Sequence, residues 1–262
     1  MPVPPEVTGV WRRERITAPG GYLDDTTRVC WVQSLSWYGD IRVRADAPRR
    51  PGATSFADYS DAELVELART QGFAGQLTVT PQMCAWRRDL DYQPPGPVPD
   101  EGTWTIDGDV LVEGGIHAEY EEIWRLEPES GGLRAAFARE GGPGLLVIAG
   151  DHFLMMRGRG APLAGESLAA LVEAELAAGR RDAAEDLLSM PIAYGRIGGR
   201  WRVSLSTLPW LEGRSLWNAP PELHGGRLRL PEGETWSLLE ADAPPDRLAA
   251  LFALATTEGE PL

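Results

Sequence analysis

The stretch CAWRRDLDYQPPG (residues 84–96) sets two arginines and two aspartates among a tryptophan, a leucine and a tyrosine, and it ends in a double proline. Side chains of an extended segment alternate between two faces. Cys84, Trp86, Arg88, Leu90 and Tyr92 therefore fall on one side, and Arg87, Asp89 and Asp91 on the other. The first set is apolar except for Arg88. A guanidinium turned toward an apolar interior keeps its charge, so it must meet a carboxylate, carbonyl oxygens or a bound anion. The segment AEYEEIWRL (118–126) sorts likewise, with Tyr120, Glu122, Trp124 and Leu126 together and Glu122 the charged exception. Arg88 and Glu122 are candidate partners; alternatively, Arg88 receives the acidic head of a ligand. Arg87, Asp89 and Asp91 read as a solvated face.

Other chemistry-bearing residues are sparse. The three histidines, His117, His152 and His224, share no HxH or HExxH spacing, so no metal site and no cofactor is expected. His117 in GGIHAEYEE is the candidate general base, with Glu119 or Glu121 to orient it and Glu122 as its acid partner in an isomerase or hydrolase. SLSTLP (204–209) lacks the G-x-S-x-G elbow of a hydrolase nucleophile. EGGPG (140–144) and GRGAPLAG (158–165) do not lie between a strand and a helix as phosphate cradles do. The neighbouring carboxylates at 24–25 and 121–122 point to opposite faces and do not form a glycosidase pair. Cys30 and Cys84 stand far apart outside any CxxC, which favours free, partly buried thiols.

All 25 basic residues are arginine, and the net charge is −14. A mean field of that sign repels polyanions, so nucleic acid is not an expected partner. The lack of lysine excludes Schiff-base chemistry and P-loop phosphate binding. The N-terminal MPVPPEVTGVW has no basic or apolar leader region, and no window approaches 18 apolar residues. The expectation is a cytoplasmic protein with no membrane contact.

The elements that must position these residues are mostly strands. Period-two alternation broken by Gly and Pro predicts strands at 9–17, 27–36, 39–45, 73–80, 83–92, 103–107, 109–114 and 118–127. TIDGDVL (105–111) carries the Asp-Gly pair of a two-residue hairpin turn. Helices are predicted at 60–72, with a Ser or Asp cap, at 166–190 with a break near Gly179, and at 244–257. The same order then recurs: strand 133–140, hairpin 144–158, helices, hairpin 192–206, and strands ending GETWSLLEAD. FAGQ…CAWRR aligns with IAYGR…GRWRV, and EEIW with GETW, which reads as a duplicated unit of about eight strands. In that alignment Val203 takes the place of Arg88.

GVWRRE (from Gly9) has the Gly-x-Trp pattern that opens the first strand of calycins, the lipocalin and fatty-acid-binding-type barrels. QGFAGQ (71–76), DEGTWTIDGDVLVEGGIHAEYEEIWRLEP (100–128), LLVIAGDHFLMMRGR (145–159), IAYGR (192–196) and ETWSLLEA (234–241) follow in chain order. Together these resemble the fungal Hri-type family, and the similarity covers most of the chain. The resemblance implies an all-β fold with a few helices: two calycin-like antiparallel barrels in tandem, 1–128 and 129–262, the second carrying a helical insertion at 166–190. It implies no active site, because that family has none established. By analogy with fatty-acid-binding-type barrels, Arg88 would hold the acidic head of a small apolar ligand, with Glu122 beside it and Trp11, Trp86, Tyr92, Tyr120 and Trp124 as the wall. A Trp11–Arg157 closure is a further calycin-like expectation. The leading function is thus non-enzymatic binding in the first barrel. The alternatives are a scaffold with filled barrels, taking a protein partner through a strand edge or the 166–190 helices, and the His117–Glu122 enzyme.

Overall fold

A computed structural model of the chain describes residues 2–253. The first half contains β1 (Gly9–Ala18), β2 (Tyr22–Asp24), β3 (Arg28–Gln33), β4 (Trp37–Val43), α1 (Asp61–Leu67), β5 (Gln71–Val79), β6 (Cys84–Asp91), β7 (Glu101–Asp107), β8 (Val110–Gly115) and β9 (Glu121–Leu126). From β3 onward, each strand pairs antiparallel with the next. β9 returns to β1, from Trp11 opposite Leu126 to Thr17 opposite Glu121, and this closes an eight-stranded barrel. β2 folds back on the far end of β1 as a short flap. The helix expected at 60–72 ends at Leu67, because the chain must be extended again by Gln71. Its Ser60 cap forms a reciprocal box with Glu63. The β7–β8 hairpin is present, one residue out of the expected frame: the loop is Gly108-Asp109, with only Gly108 at positive φ, as in a Gly-first turn.

The second half repeats that order with β10 (Arg134–Arg139), β11 (Gly144–Ala149), β12 (His152–Arg157), α2 (Leu168–Ala177), α3 (Arg181–Leu188), β13 (Ile192–Ile197), β14 (Trp201–Ser206), β15 (Glu222–His224), β16 (Arg227–Arg229), β17 (Thr235–Ala241) and α4 (Pro245–Ala253). β17 pairs with β10 as β9 does with β1, but β14 and β15 remain the two edges of the sheet. The result is a curled half-barrel. Its hollow is filled by Phe137, Trp201, Trp217 and Trp236, with Leu248 and Phe252 of α4 packed among them. Residues 254–257, the end of the predicted last helix, lie outside the described residues.

One structural device occurs in both halves. A bulge in β5–β6 falls between Ala74 and Gly75, and a bulge in β13–β14 between Tyr194 and Gly195. A Cβ on Gly75 would lie 1.9 Å from the Arg87 carbonyl oxygen, and one on Gly195 would lie 2.0 Å from that of Arg202. Only glycine admits so close a backbone approach. Gly75 faces Arg88 and Gly195 faces Val203, the same correspondence that the sequence alignment predicts.

The halves share a core. The outer face of the barrel (Val10, Val32, Ile41, Val43) packs on Val147, Leu154 and Met156 of the second sheet, with α1, α2 and α3 closing the layer. Burial on both faces explains the unbroken apolar runs VCWV in β3 and LLVIA in β11, where alternation is lost.

Candidate functional site

The barrel interior is packed with aromatic rings. Trp31 lies 6.3 Å from Trp11, 5.7 Å from Trp86 and 5.8 Å from Trp124, centroid to centroid. Trp11 is fully buried, with its Nε1 donating to the Val7 carbonyl at 2.8 Å. Arg157 does not reach it; that guanidinium is held by Glu232 and Glu234 of the second half.

Around these rings runs a network of charge. Arg13 donates to Glu122 at 2.7 Å and to Asp24 at 2.8 Å, and Arg42 donates to Asp40 at 2.9 Å and lies 3.7 Å from Glu122. The expected Arg88–Glu122 pair does not form: Glu122 is served by Arg13 and Arg42. Arg88 donates to Asp100 at 2.7 and 2.9 Å and to Asp91 at 3.2 Å, with its guanidinium carbon 3.5 Å from the centre of the Phe73 ring.

The bulge opposite Gly75 explains two further departures. Asp89 is the extra residue there, so the faces exchange beyond it: Leu90 pairs with Ala74 and Asp91 with Phe73. Asp91 therefore turns inward to Arg88 and is not part of a solvated face. Tyr92 turns outward into the core between the halves, where its hydroxyl donates to the Leu188 carbonyl at 3.3 Å. It is not a wall of the barrel. Trp86 and Trp124 are such walls, while Tyr120 stands just before β9 and donates from its hydroxyl to Glu113 at 2.9 Å.

Glu113 lies opposite Glu122 on β8–β9 and has no ion-pair partner among the described residues. Burial first, and then the nearby Glu122 charge, push its carboxyl up to about 8, so it is protonated at neutral pH. Burial likewise raises Asp40, against the pull of Arg42. The Tyr38 hydroxyl and the Trp124 indole nitrogen are buried without a hydrogen-bond partner. Tyr38, Asp40, Arg42, Glu113, Trp124 and Asp100 line an internal cavity of about 10 Å³, the space of a single water. An alkyl chain has no room there.

The network meets the outside at one thin place in the wall. β6 and β7 pair only at Cys84–Gly102 and Ala85–Glu101, with one further bond from the Trp86 N–H to the Asp100 carbonyl at 2.8 Å. The intervening QPPGPVPD carries four prolines, which cannot donate to a ladder, and so β7 cannot begin before Glu101. In the gap lies a groove of about 540 Å³ lined by Trp86, Arg88, Pro95, Val98, Pro99 and Asp100. Trp86 and Asp100 belong to both groove and cavity.

Arg13, Asp40, Arg42, Glu113 and Asp100 are site residues that the sequence reading missed. Four were within its reach, because Arg13 follows Trp11 by two, Asp40 and Arg42 follow Tyr38 by two and four, and Glu113 follows Leu111 by two. Asp100 sits in a loop without periodicity. His117 lies on the outer surface, 2.9 Å from Glu101, while Glu122 is 2% exposed inside the barrel; the structure does not bring the two together as an acid–base pair. Cys30 and Cys84 are free and buried, and burial pushes both thiols up to about 12. Among the described residues no cluster of His, Cys, Asp and Glu could hold a metal ion, and no helix is long and apolar enough to cross a membrane. No protein family, curated protein or solved structure matches the chain.

Proposed function

We propose that this chain is a calycin-like binding protein without catalytic activity, whose first barrel engages a small molecule through the gap between β6 and β7. The observation that carries this reading is the continuity of groove and network: Arg88 and Asp100 stand where the 540 Å³ groove meets the charged interior. A groove of that size, with an apolar floor and a few convergent polar groups, is the form small-molecule sites take. The ligand body lies along Trp86, Val98 and the prolines, and only its head approaches the interior. The strand order, in which β9 closes on β1, and the sequence resemblance support the calycin-like assignment. Of the surfaces that the scaffold alternative needs, the β14 edge and the helices are taken up, while the short β2 edge, with Tyr22 and Leu23 exposed, is open. The β14 edge is bonded to residues 213–216, and α2 and α3 bury their apolar residues in the shared core.

Tryptophan fluorescence tests the proposal, because Trp86 forms the groove wall and touches the Trp31 cluster. A panel of small cationic, neutral and anionic aromatic compounds should contain one that quenches saturably. Ala85→Trp, which fills the groove, should abolish that quench, whereas Tyr92→Phe, in the core between the halves, should leave it. No saturable quench by any class would overturn the reading.

A further inference from the structure

Resting on that reading, we infer that the head the barrel accepts is a cation of guanidinium or amidinium shape, and that Arg88 occupies its place in the resting protein. The network holds five carboxylates (Asp24, Asp40, Asp91, Asp100 and Glu122) and the neutral Glu113 carboxyl against three guanidiniums (Arg13, Arg42 and Arg88). An anionic head would enter a site already rich in negative charge, and a cation would relieve it. The whole chain, at −14, attracts cations to the same place.

Independent geometry points the same way. Tyr38 is fully buried, and its hydroxyl has no partner. It stands across Gly75 from Arg88, since Tyr38 pairs with Gly75 and Gly75 with Arg88. The orphaned phenol hydroxyl can accept an N–H as well as donate its own proton, while the unpartnered Trp124 indole nitrogen of the same cavity only donates. The walls are π faces: Arg88 lies over Phe73 at 3.5 Å, and Arg42 lies 5.1 Å from the same ring and 6.0 Å from Trp124. Aromatic faces flanked by carboxylates select flat cations. Arg88 is also the most exposed of the three, with its side chain 35% exposed against 21% for Arg42 and 6% for Arg13, and it borders the groove. Its guanidinium, stacked on Phe73 and clasped by Asp100 and Asp91, shows what shape the place accepts.

The experiment compares benzamidinium with its near-isosteres benzamide and benzoate, by tryptophan quenching at pH 7 on the full chain. Benzamidinium should quench wild-type protein saturably and the other two should not. Arg88→Ala removes the built-in occupant and should tighten benzamidinium at least about tenfold, while Asp100→Asn weakens it by a similar factor. An anion site on Arg88 would behave oppositely, losing benzoate in Arg88→Ala. If benzoate or benzamide binds as well as benzamidinium, the inference fails and the binding function stands; if no probe binds to either protein, both fail. Should Arg88→Ala not fold, Arg88→Gln carries the same comparison.

Discussion

Replacing Glu113 with glutamine should make the protein more stable at alkaline pH. Below the ordinary glutamate value of 4.5, both the unfolded and the folded chain hold the Glu113 proton, and the group does not affect the balance between them. Between 4.5 and about 8 the unfolded chain loses that proton while the folded chain keeps it. The folded state then binds more protons, and stability falls as pH rises. Above about 8 a carboxylate must sit inside the barrel facing Glu122, with Tyr120 donating to it, Arg42 as the opposing charge, and Asp100 and Cys84 as further acidic groups around it. Each pH unit of that interval corresponds to about 1.4 kcal/mol. The upper bound is about 5 kcal/mol, and relaxation of the site reduces it to roughly 2–3 kcal/mol. Glutamine keeps an acceptor for the Tyr120 hydroxyl and never ionises. Thermal unfolding followed by circular dichroism from pH 6 to pH 9, which spans about two of those units, should show wild-type Tm falling relative to Glu113→Gln by about 2–6 °C. Parallel curves over that interval, or a variant less stable at pH 9, would refute the assignment of a buried neutral acid.

Two further tests concern the frame that holds the site. Arg13→Ala leaves Glu122 with only Arg42 at 3.7 Å and should cost about 2–4 kcal/mol in urea unfolding, whereas Arg12→Ala breaks only an exposed pair with Glu127 and should cost less than about 0.5 kcal/mol; equal losses would mean that the buried pair is not the constraint. Gly75→Ala drives a methyl against backbone at 1.9 Å and should destabilise by more than about 3 kcal/mol, while Gly39→Ala meets only the movable tip of Leu154 and should cost about 1–2 kcal/mol, so a mild Gly75→Ala would show that the bulge can open.

The barrel was largely legible in the sequence because each strand presents one face to an interior, and alternation reports that directly. The strands it located imperfectly are short: β2, β15 and β16 have three residues each, too few to show a period. The site was legible only in part. Face-sorting singled out Glu122, which is buried inside the barrel, and Arg88, which lies over Phe73 but is 35% exposed at the gap. It failed past Asp89, because a bulge is a property of pairing and leaves no mark on the period of its own strand; its signal lay on the partner, at Gly75. The double proline carried more than a strand end. With Pro97 and Pro99, which follow it, it begins the run that denies β7 its first rungs and opens the wall beside Arg88.

The second half shows what this framework needs in order to fold. Its equivalent interior is Ala135, Phe137, Ile148, Phe153, Met155 and Val203, all apolar, and α4 seals it. The ring there is fully open between β14 and β15, at the position where the first barrel is only thinned between β6 and β7. Beside these apolar residues the second half keeps one partly buried network, Arg139 and Arg157 on Glu234, in which Arg139 and Glu234 stand where the first barrel has Arg13 and Glu122. Placing Arg13, Arg42, Asp40, Glu113 and Glu122 inside the first barrel incurs a desolvation cost that an apolar filling would avoid. On the proposed function, the polar interior of the first barrel serves the gap. Substituting the second half's solution into the first, Arg88→Val with Asp100→Leu, should then yield a protein at least as stable as wild type that has lost its cation response. A destabilised double variant would show instead that the Arg88–Asp100 clasp is structural, and that the polar interior serves the fold.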